Sequence, residues 1–378
     1  MKPVSTLIIG GGIAGVSTAW WLAQRGAQGV MLLEREASLG QHSSGLNAGI
    51  LRTAIEAPET RALALETSAF LANPPQDFCA HTLVDGRGLV VVEGREGLPL
   101  PRWAPALQEL GLVESLQLDQ LEQLMPLFRP EGTRAWHFPS TGQIDIAALL
   151  ASFAKGARAA GVDMRQSTAV ESLIHTDSGA VCGVRLQGGE TIEAERVVIA
   201  AGAWAGKLGA SIGAHFPGRA TRRHLFVTRA DPRIQRDWPI VWDDAAGFYA
   251  LPEGPGLMIC MSDMDDVDPD SCHVDPLIRR ILDRRLAHSL PSLEGIPIER
   301  TWAAMRTMAE DDRPVVGPDP KLAGLFWVAG LGGHGMSISA GLGRVAADII
   351  LGLPVDDELA AGLAPANKER AYAPLRDY

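Results

Sequence analysis

The chain has 378 residues, 46% of them apolar and 21% charged, a composition that fits a folded protein of about two domains and excludes a disordered, collagenous or coiled-coil chain. Lys and Arg number 34 against 45 Asp and Glu, a net charge of −11, so the surface field repels phosphate backbones and anionic lipid and argues against a nucleic-acid partner. Cys79, Cys182, Cys260 and Cys272 form no C-x-x-C pair, which points to neither a zinc knuckle nor a disulfide framework and fits a reducing cytoplasm.

From the N-terminus, Val4 to Gly10 reads as a short buried strand, Ala14 to Arg25 carries the helical period with Gly26 as its stop, and Gly29 to Glu34 is a second apolar strand. Strand, glycine turn, helix and strand in so short a span make a βαβ unit with parallel strands, so the fold class is α/β. The uncharged run from Leu7 to Ala23 imitates a membrane segment, but Gly10, Gly11, Gly12 and Gly15 make it a poor apolar helix, and no integral membrane segment is expected. A weaker amphipathic stretch covers Thr60 to Leu71, prolines break the interval from Asn73 to Pro139, and Ile144 to Ala160 reads as a helix opened by Asp145 and closed by Gly161. Ala180 to Leu186 and Thr191 to Ala194 flank Gln187-Gly188-Gly189-Glu190 as a hairpin, and Val197 to Ala205 follows as a separate apolar strand running into a glycine turn. Arg223 to Arg229 and Gly256 to Met261 are β-like and bracket Trp238, Trp242, Phe248 and Tyr249, a block read as an antiparallel sheet. Leu325 to Gly330 is a buried strand followed by a glycine loop and a helix from about Met336 to Leu351. The nucleotide grammar therefore returns at the C-terminus, and one domain is expected to be assembled from discontinuous segments.

Gly10, Gly12 and Gly15 form G-x-G-x-x-G between strand and helix. The three glycines allow a tight turn, approach of a pyrophosphate to the backbone, and close helix-on-strand packing. The helix N-terminus, opened by Ile13 and Ala14, offers N–H groups and a partial positive charge to phosphates. Glu34, at the end of the second strand, is placed to accept the ribose hydroxyls and to repel a 2′-phosphate. The small-residue loop from Arg35 to Gly49 offers a path for a cofactor longer than a nucleotide half. The acidic run Asp263 to Asp270 lacks the glycine and glutamate of a calcium loop, with Asp268 and Val274 at those places, and reads as a solvated loop rather than a metal site.

The segments GGGIAGVSTAWWLAQRGA, LLEREASLGQHSSGLNAG, VVIAAGAWA and GLGGHGMSISAGLGRVAADII resemble the FAD-dependent D-amino-acid oxidoreductase superfamily. Within it, ANPPQDFCAH, RRHLFV, RDWPIV, GFYALP and TWAAMRT look most like the bacterial D-arginine dehydrogenases. The resemblance implies a GR2-type FAD domain from residues 1–80, 140–215 and 312–378, and a mainly antiparallel-sheet (α+β) substrate domain from 81–139 and 216–311. It implies non-covalent FAD, with His42 as a hydrogen-bonded loop histidine rather than a flavin attachment. Gly10, Gly12, Gly15 and Glu34 would hold the ADP half, and Val170 would lie against the adenine side. Arg35, Ser43, Ser44, Asn47, Ala48 and Gly49 would lie near the pyrophosphate and flavin, and Ala201, Gly202 and Trp204 would cover the pyrophosphate. Gly332, Gly333, His334, Gly335, Met336 and Ser337 would line the flavin's pyrimidine edge.

By the same resemblance Arg306 grips the substrate carboxylate, one of Arg222 and Arg223, with Arg223 favoured, is its partner, and Tyr249 donates its hydroxyl to it. His334 is the candidate proton relay, and Ile50, Arg52 and Gly333 the pocket rim. Ile50 and Ile55 stand where the D-arginine enzymes carry histidine and tyrosine, and the stretch Gly86 to Val91 lacks a carboxylate to hold a guanidinium. The expected reaction is oxidative deamination of a D-amino acid other than D-arginine: the neutral amine loses hydride from Cα to flavin N5, and the imino acid then hydrolyses. Oxidation of a secondary amino acid or a 2-hydroxy acid, or flavin binding without turnover, are the competing readings. The electron acceptor, whether quinone, dye or oxygen, stays open.

Overall fold

A computed structural model describes residues 4–93, 101, 103–129, 132 and 134–365; parts of the expected segments, at 1–3, 94–100 and 366–378 among others, lie outside the described residues. The chain opens with β1 (Val4–Ile9), α1 (Ile13–Gln24) and β2 (Val30–Leu33), then α2 (Pro58–Ala72). Ile8, Val16, Leu22 and Leu32 are buried together, so strand and helix condense on a shared apolar face. Between the prolines lie β3 (Leu89–Glu93), α3 (Trp103–Glu109), β4 (Glu114–Leu116), α4 (Leu118–Leu124) and β5 (Arg134–Phe138).

Next come α5 (Ile146–Ala159), β6 (Asp163–Arg165), β7 (Val170–His175), β8 (Val181–Leu186), β9 (Thr191–Ile199) and α6 (Ala205–Ala210). Asp145 caps α5 as expected, its side chain accepting from the Ala148 N–H. The two strands expected at 191–194 and 197–205 are one. The first half of β9 pairs antiparallel with β8, its second half runs parallel to β1, and the chain leaves the sheet after Ile199. Glu195 and Arg196, between the two expected strands, sit mid-strand, just past the point where β9 changes partners.

The second half of the chain supplies β10 (Gly218–Thr228), β11 (Ile240–Asp243), β12 (Phe248–Glu253), β13 (Gly256–Cys260), α7 (Ile278–Ser289) and β14 (Ile298–Ala309), then β15 (Val315–Pro318), β16 (Leu325–Ala329), α8 (Ser339–Leu351) and α9 (Asp357–Leu363). One sheet runs β15-β16-β9-β1-β2-β6, with β7 and β8 attached through β9; the other runs β14-β10-β13-β12-β11-β3-β5-β4. In the first, β1 and β2 are parallel with Thr6 opposite Val30. The second is antiparallel except for β11 beside β3, and it brings the proline-broken interval onto the block around Trp242 and Tyr249. The architecture is mixed α/β. Among the described residues no helix is long and apolar enough to cross a membrane.

Candidate active site: a cleft from the glycine turn to two buried arginines

Gly10 leaves β1 at φ +115, and a Cβ there would stand 2.5 Å from the Ala200 carbonyl oxygen. A Cβ on Gly15 would stand 2.0 Å from the carbonyl oxygen of Gly10. The turn is therefore closed to side chains, and its backbone floors a long cleft together with Gly12, Ile13 and Ala14. Gly15 lies behind that floor and acts through packing alone. Helix α1 starts without a side-chain cap from Gly12; instead the Ser44 Oγ accepts from the Ile13 N–H at 2.9 Å.

Glu34 is buried, and both of its oxygens accept backbone N–H groups: Gly11 at 2.7 Å and Glu36 at 2.8 Å. It thus fixes the glycine turn as well as lining the cleft, with lone pairs left for a ribose. Asn47 braces its own loop, donating to the Ser43 and Ser44 carbonyls while its Oδ1 accepts from the Gly49 N–H. Arg35, Ser43, Ala48, Gly49, Val170, Ala201, Gly202 and Trp204 also line the cleft. The Arg35 guanidinium stacks 3.8 Å over Trp204, and His42 accompanies it, its Nε2 2.9 Å from Glu36 Oε1.

The acidic run is engaged with cations: Asp265 meets Arg222, Asp266 meets Arg219, and Asp268 and Asp270 share Lys207. Among the described residues no cluster suits a metal ion.

At the other end of the cleft lie Gly332, Gly333, Gly335, Met336 and Ser337. Helix α8 begins at Ser339 rather than near Met336, because the preceding residues are spent on the loop. Gly330 and Gly332 take φ +69 and +55, and the Ser337 hydroxyl donates to the Ile50 carbonyl while accepting the Arg52 N–H, both at 2.9 Å. The loop is tied to the second sheet by the Gly332 N–H, which donates to the Thr307 carbonyl at 2.9 Å.

The substrate end follows from strand register. Trp242 lies opposite Tyr249, Tyr249 opposite Cys260, Cys260 opposite Leu225 and Leu225 opposite Trp302. Alternation adds Arg223 beside Leu225, and Ala304 and Arg306 beyond Trp302, on that same face. Thr221 opposes Arg306 and Arg223 opposes Ala304, so the two arginines are diagonal neighbours on adjacent strands. Both are buried, at 7% and 6% exposure, and both line the cleft with Tyr249. Arg223 donates to the carbonyls of Asp263 and Ser262, and Arg306 to that of Met305; among the described residues no carboxylate pairs with either.

Burial pushes the Arg306 guanidinium below its ordinary value, with Arg223 adding repulsion and Tyr249 opposing it. Burial also pushes the Tyr249 phenol up, so it stays protonated and able to donate. Two desolvated like charges with no counter-ion form a receptor for an anion.

Two of the expected residues stand apart from the cleft lining. Arg222 points to the opposite face of β10, is held by Asp265 and Asp275 at 3.1 Å each and does not line the cleft. His334 does not line the cleft, and its imidazole is pushed down to about 3 by burial and by Arg52, Arg223 and Arg306. Ile50 and Arg52 line the pocket, whereas Ile55 is packed in the core. Sequence reasoning missed Trp242 as a wall: its ring lies 4.7 Å from that of Tyr249, and the Arg52 guanidinium sits 4.1 Å above it. Only the pairing of β11 with β12 brings it there; its place in an aromatic-rich block was the sole signal.

The arrangement fits a long dinucleotide cofactor. A floor closed to side chains runs past the N-terminus of α1, and the loop before α8 closes the far end beside the arginines. The family described as FAD dependent oxidoreductase (DAO) matches residues 5–349. A glycine oxidase of Bacillus licheniformis is 25% identical over 391 residues, covering 98% of this chain and 99% of that protein. The mitochondrial sarcosine dehydrogenase of Homo sapiens is 28% identical over 385 residues, covering 93% of this chain and 40% of that protein. The crystal structure of glycine oxidase from Geobacillus kaustophilus aligns with a TM-score of 0.81 at 24% identity, over 97% of this chain and 99% of that one. With a match across nearly its whole length, the chain belongs to the FAD-dependent oxidoreductase (DAO) family and is an FAD-dependent amino-acid oxidoreductase acting on CH–NH2 or CH–NH.

Proposed function

We propose that the protein oxidises a D-amino acid with a neutral or apolar side chain, held by its carboxylate between Arg223 and Arg306. The carrying observation is the pair of buried guanidiniums on one face of β10 and β14 without a carboxylate partner among the described residues. In this reading the first sheet and its helices hold FAD non-covalently, and the second carries the substrate, with bounds at residues 1–80, 140–215 and 312–378 against 81–139 and 216–311. FAD, when bound, supplies the acceptor for the hydride from Cα.

The chain's own residues do the rest. Arg223 and Arg306 fix the carboxylate, the protonated Tyr249 donates to it, and Trp242 and Ile50 wall the side chain from water. The described residues at this end place no carboxylate in the pocket, which disfavours a guanidinium side chain and hence D-arginine. No side chain here is a base for the amine, so it enters neutral and the imino product hydrolyses in water. Four free thiols support a reducing cytoplasm as the setting.

The likeness to a sarcosine dehydrogenase favours a second reading in which the amine is secondary. Anaerobic mixing of the yellow protein with D-, L- and N-methyl amino acids separates these. Bleaching by neutral D-amino acids is the expected result; bleaching by N-methyl amino acids alone favours the second reading, and preference for D-arginine overturns the pocket argument.

A further inference from the structure

Arg223 cannot aim itself, because a guanidinium on a flexible stem has to be held where the carboxylate will arrive. Its Nε donates to the Asp263 carbonyl at 3.2 Å and its Nη2 to the Ser262 carbonyl at 3.4 Å. Both acceptors sit in the bulged stretch after β13, which continues antiparallel beside β10 until Asp266 pairs with Thr221, and there Ser262 adopts φ +53, an uncommon conformation for a residue with a side chain. Something outside the bulge has to keep it there.

The neighbouring residue on β10 does so. His224 is completely buried. Its backbone N–H donates to Asp263 Oδ1 at 2.8 Å, its Nδ1 lies 2.6 Å from Asp263 Oδ2, and its Nε2 accepts the Asp275 N–H at 2.9 Å. With Nε2 engaged as an acceptor, the ring proton of the neutral imidazole must reside on Nδ1 and point at the carboxylate. The His224 hydrogen bonds and the neighbouring Arg223 hold the Asp263 carboxyl below the usual carboxylate range despite its burial. Side chains of adjacent strand residues face opposite sides of the sheet. His224 therefore grips the Ser262-Asp263 bulge from behind, while the Ser262 and Asp263 carbonyls hold Arg223 in front.

We propose that His224 and Asp263 are a positioning pair that sets Arg223 for the substrate carboxylate. The inference rests on the reading of Arg223 given under Proposed function. The two residues do not touch the substrate; they act by fixing the acceptors of the guanidinium. Asp263→Asn offers one acceptor where His224 needs two, so it frees the bulge and lets Arg223 drift. His224→Asn keeps a side-chain donor toward Asp263, whereas His224→Ala keeps only the backbone N–H.

The test uses the FAD-loaded enzyme with the amino acid it oxidises fastest, and acetate as a competing carboxylate without an amine. Flavin content and Tm are recorded for each variant. Asp263→Asn and His224→Ala are expected to raise KM and the acetate inhibition constant on the order of tenfold, as for a misplaced positioning group, with kcat changed by less than about threefold. His224→Asn should recover most of that loss. Combining Asp263→Asn with Arg223→Ala should be no worse than Arg223→Ala alone, since the pair acts only through that arginine. Additive losses in the double variant, or unchanged acetate inhibition in both Asp263→Asn and His224→Ala, overturn the inference while leaving Arg223 in place. Acetate inhibition unaffected by Arg223→Ala overturns the carboxylate reading itself, and the positioning role with it.

Discussion

The two ends of the cleft are built from different material. Beside the glycine turn the floor is backbone, the turn at Gly10 and Gly12 and the start of α1, braced by the oxygens of Glu34, with side chains such as Arg35 and Trp204 along its walls. At the substrate end it is side chains, Arg223, Tyr249, Trp242 and Arg306, brought from four strands onto one sheet face by register. A backbone floor has no room for a side chain at Gly10 or Gly15, where a Cβ would meet backbone at 2.5 and 2.0 Å. A side-chain receptor can be altered one group at a time, so the substrate can be changed while the cofactor stays.

The largest effect should therefore come from adding bulk to the backbone end. Gly15→Val forces a side chain into the Gly10 carbonyl, which a single Cβ would already meet at 2.0 Å. It should cost at least about 3 kcal/mol, combining overpacking with backbone strain, and yield protein with little flavin, read by absorbance and Tm. A Gly15→Val protein that stays yellow with an unchanged Tm would break the distinction between the two ends.

A smaller and more selective effect is expected at the other end. Arg306→Ala should keep its flavin but lose about 2–5 kcal/mol of transition-state binding, on the order of 10²-fold or more in kcat/KM. Lysine should not restore it, because a point charge does not reproduce a bidentate grip.

The difference in building material also explains what could be read in advance. The glycine spacing, the flanking strands and Glu34 lie within one continuous stretch, and local chain geometry dictates them. Arg223, Tyr249 and Arg306 came into view only through resemblance. Their convergence depends on which strand pairs with which, and no periodicity within one segment encodes that. Arg222 and Arg223 are adjacent and chemically identical, and only the phase of β10 decides that one faces the cleft while the other meets Asp265 and Asp275. A free histidine titrates near neutrality, but desolvation and the charges of Arg52, Arg223 and Arg306 push the half-buried His334 imidazole down.

pH dependence sharpens the contrast further. With His334 pushed down to about 3 and Tyr249 pushed up, neither titrates between pH 5 and 9. A rise of kcat/KM to a plateau should then follow the substrate's own amine, and its midpoint should move when an amino acid of different amine pKa is used. His334→Asn should leave that midpoint alone; a shift would return the histidine to the proton path. The same depressed value has a stability consequence. Below about pH 6.5 the unfolded chain takes up a proton that folded His334 refuses, so the ring's contribution to stability is lost as pH falls from 6.5 toward 3, and His334→Asn should flatten that part of the Tm profile. The smallest effect is predicted for Arg222→Ala, within about threefold of wild type in kcat/KM, since that side chain lies on the other face of the sheet.

The central claim is that the substrate is recognised by its carboxylate. The most direct measurement is anaerobic flavin reduction by one amino acid and by its α-amide, which keeps the amine and side chain but removes the negative charge. The account predicts rapid bleaching by the acid and at least a hundredfold weaker saturation by the amide, the difference collapsing in Arg306→Ala, as expected for a buried charge pair worth about 3 kcal/mol. Equal reduction by acid and amide would contradict it.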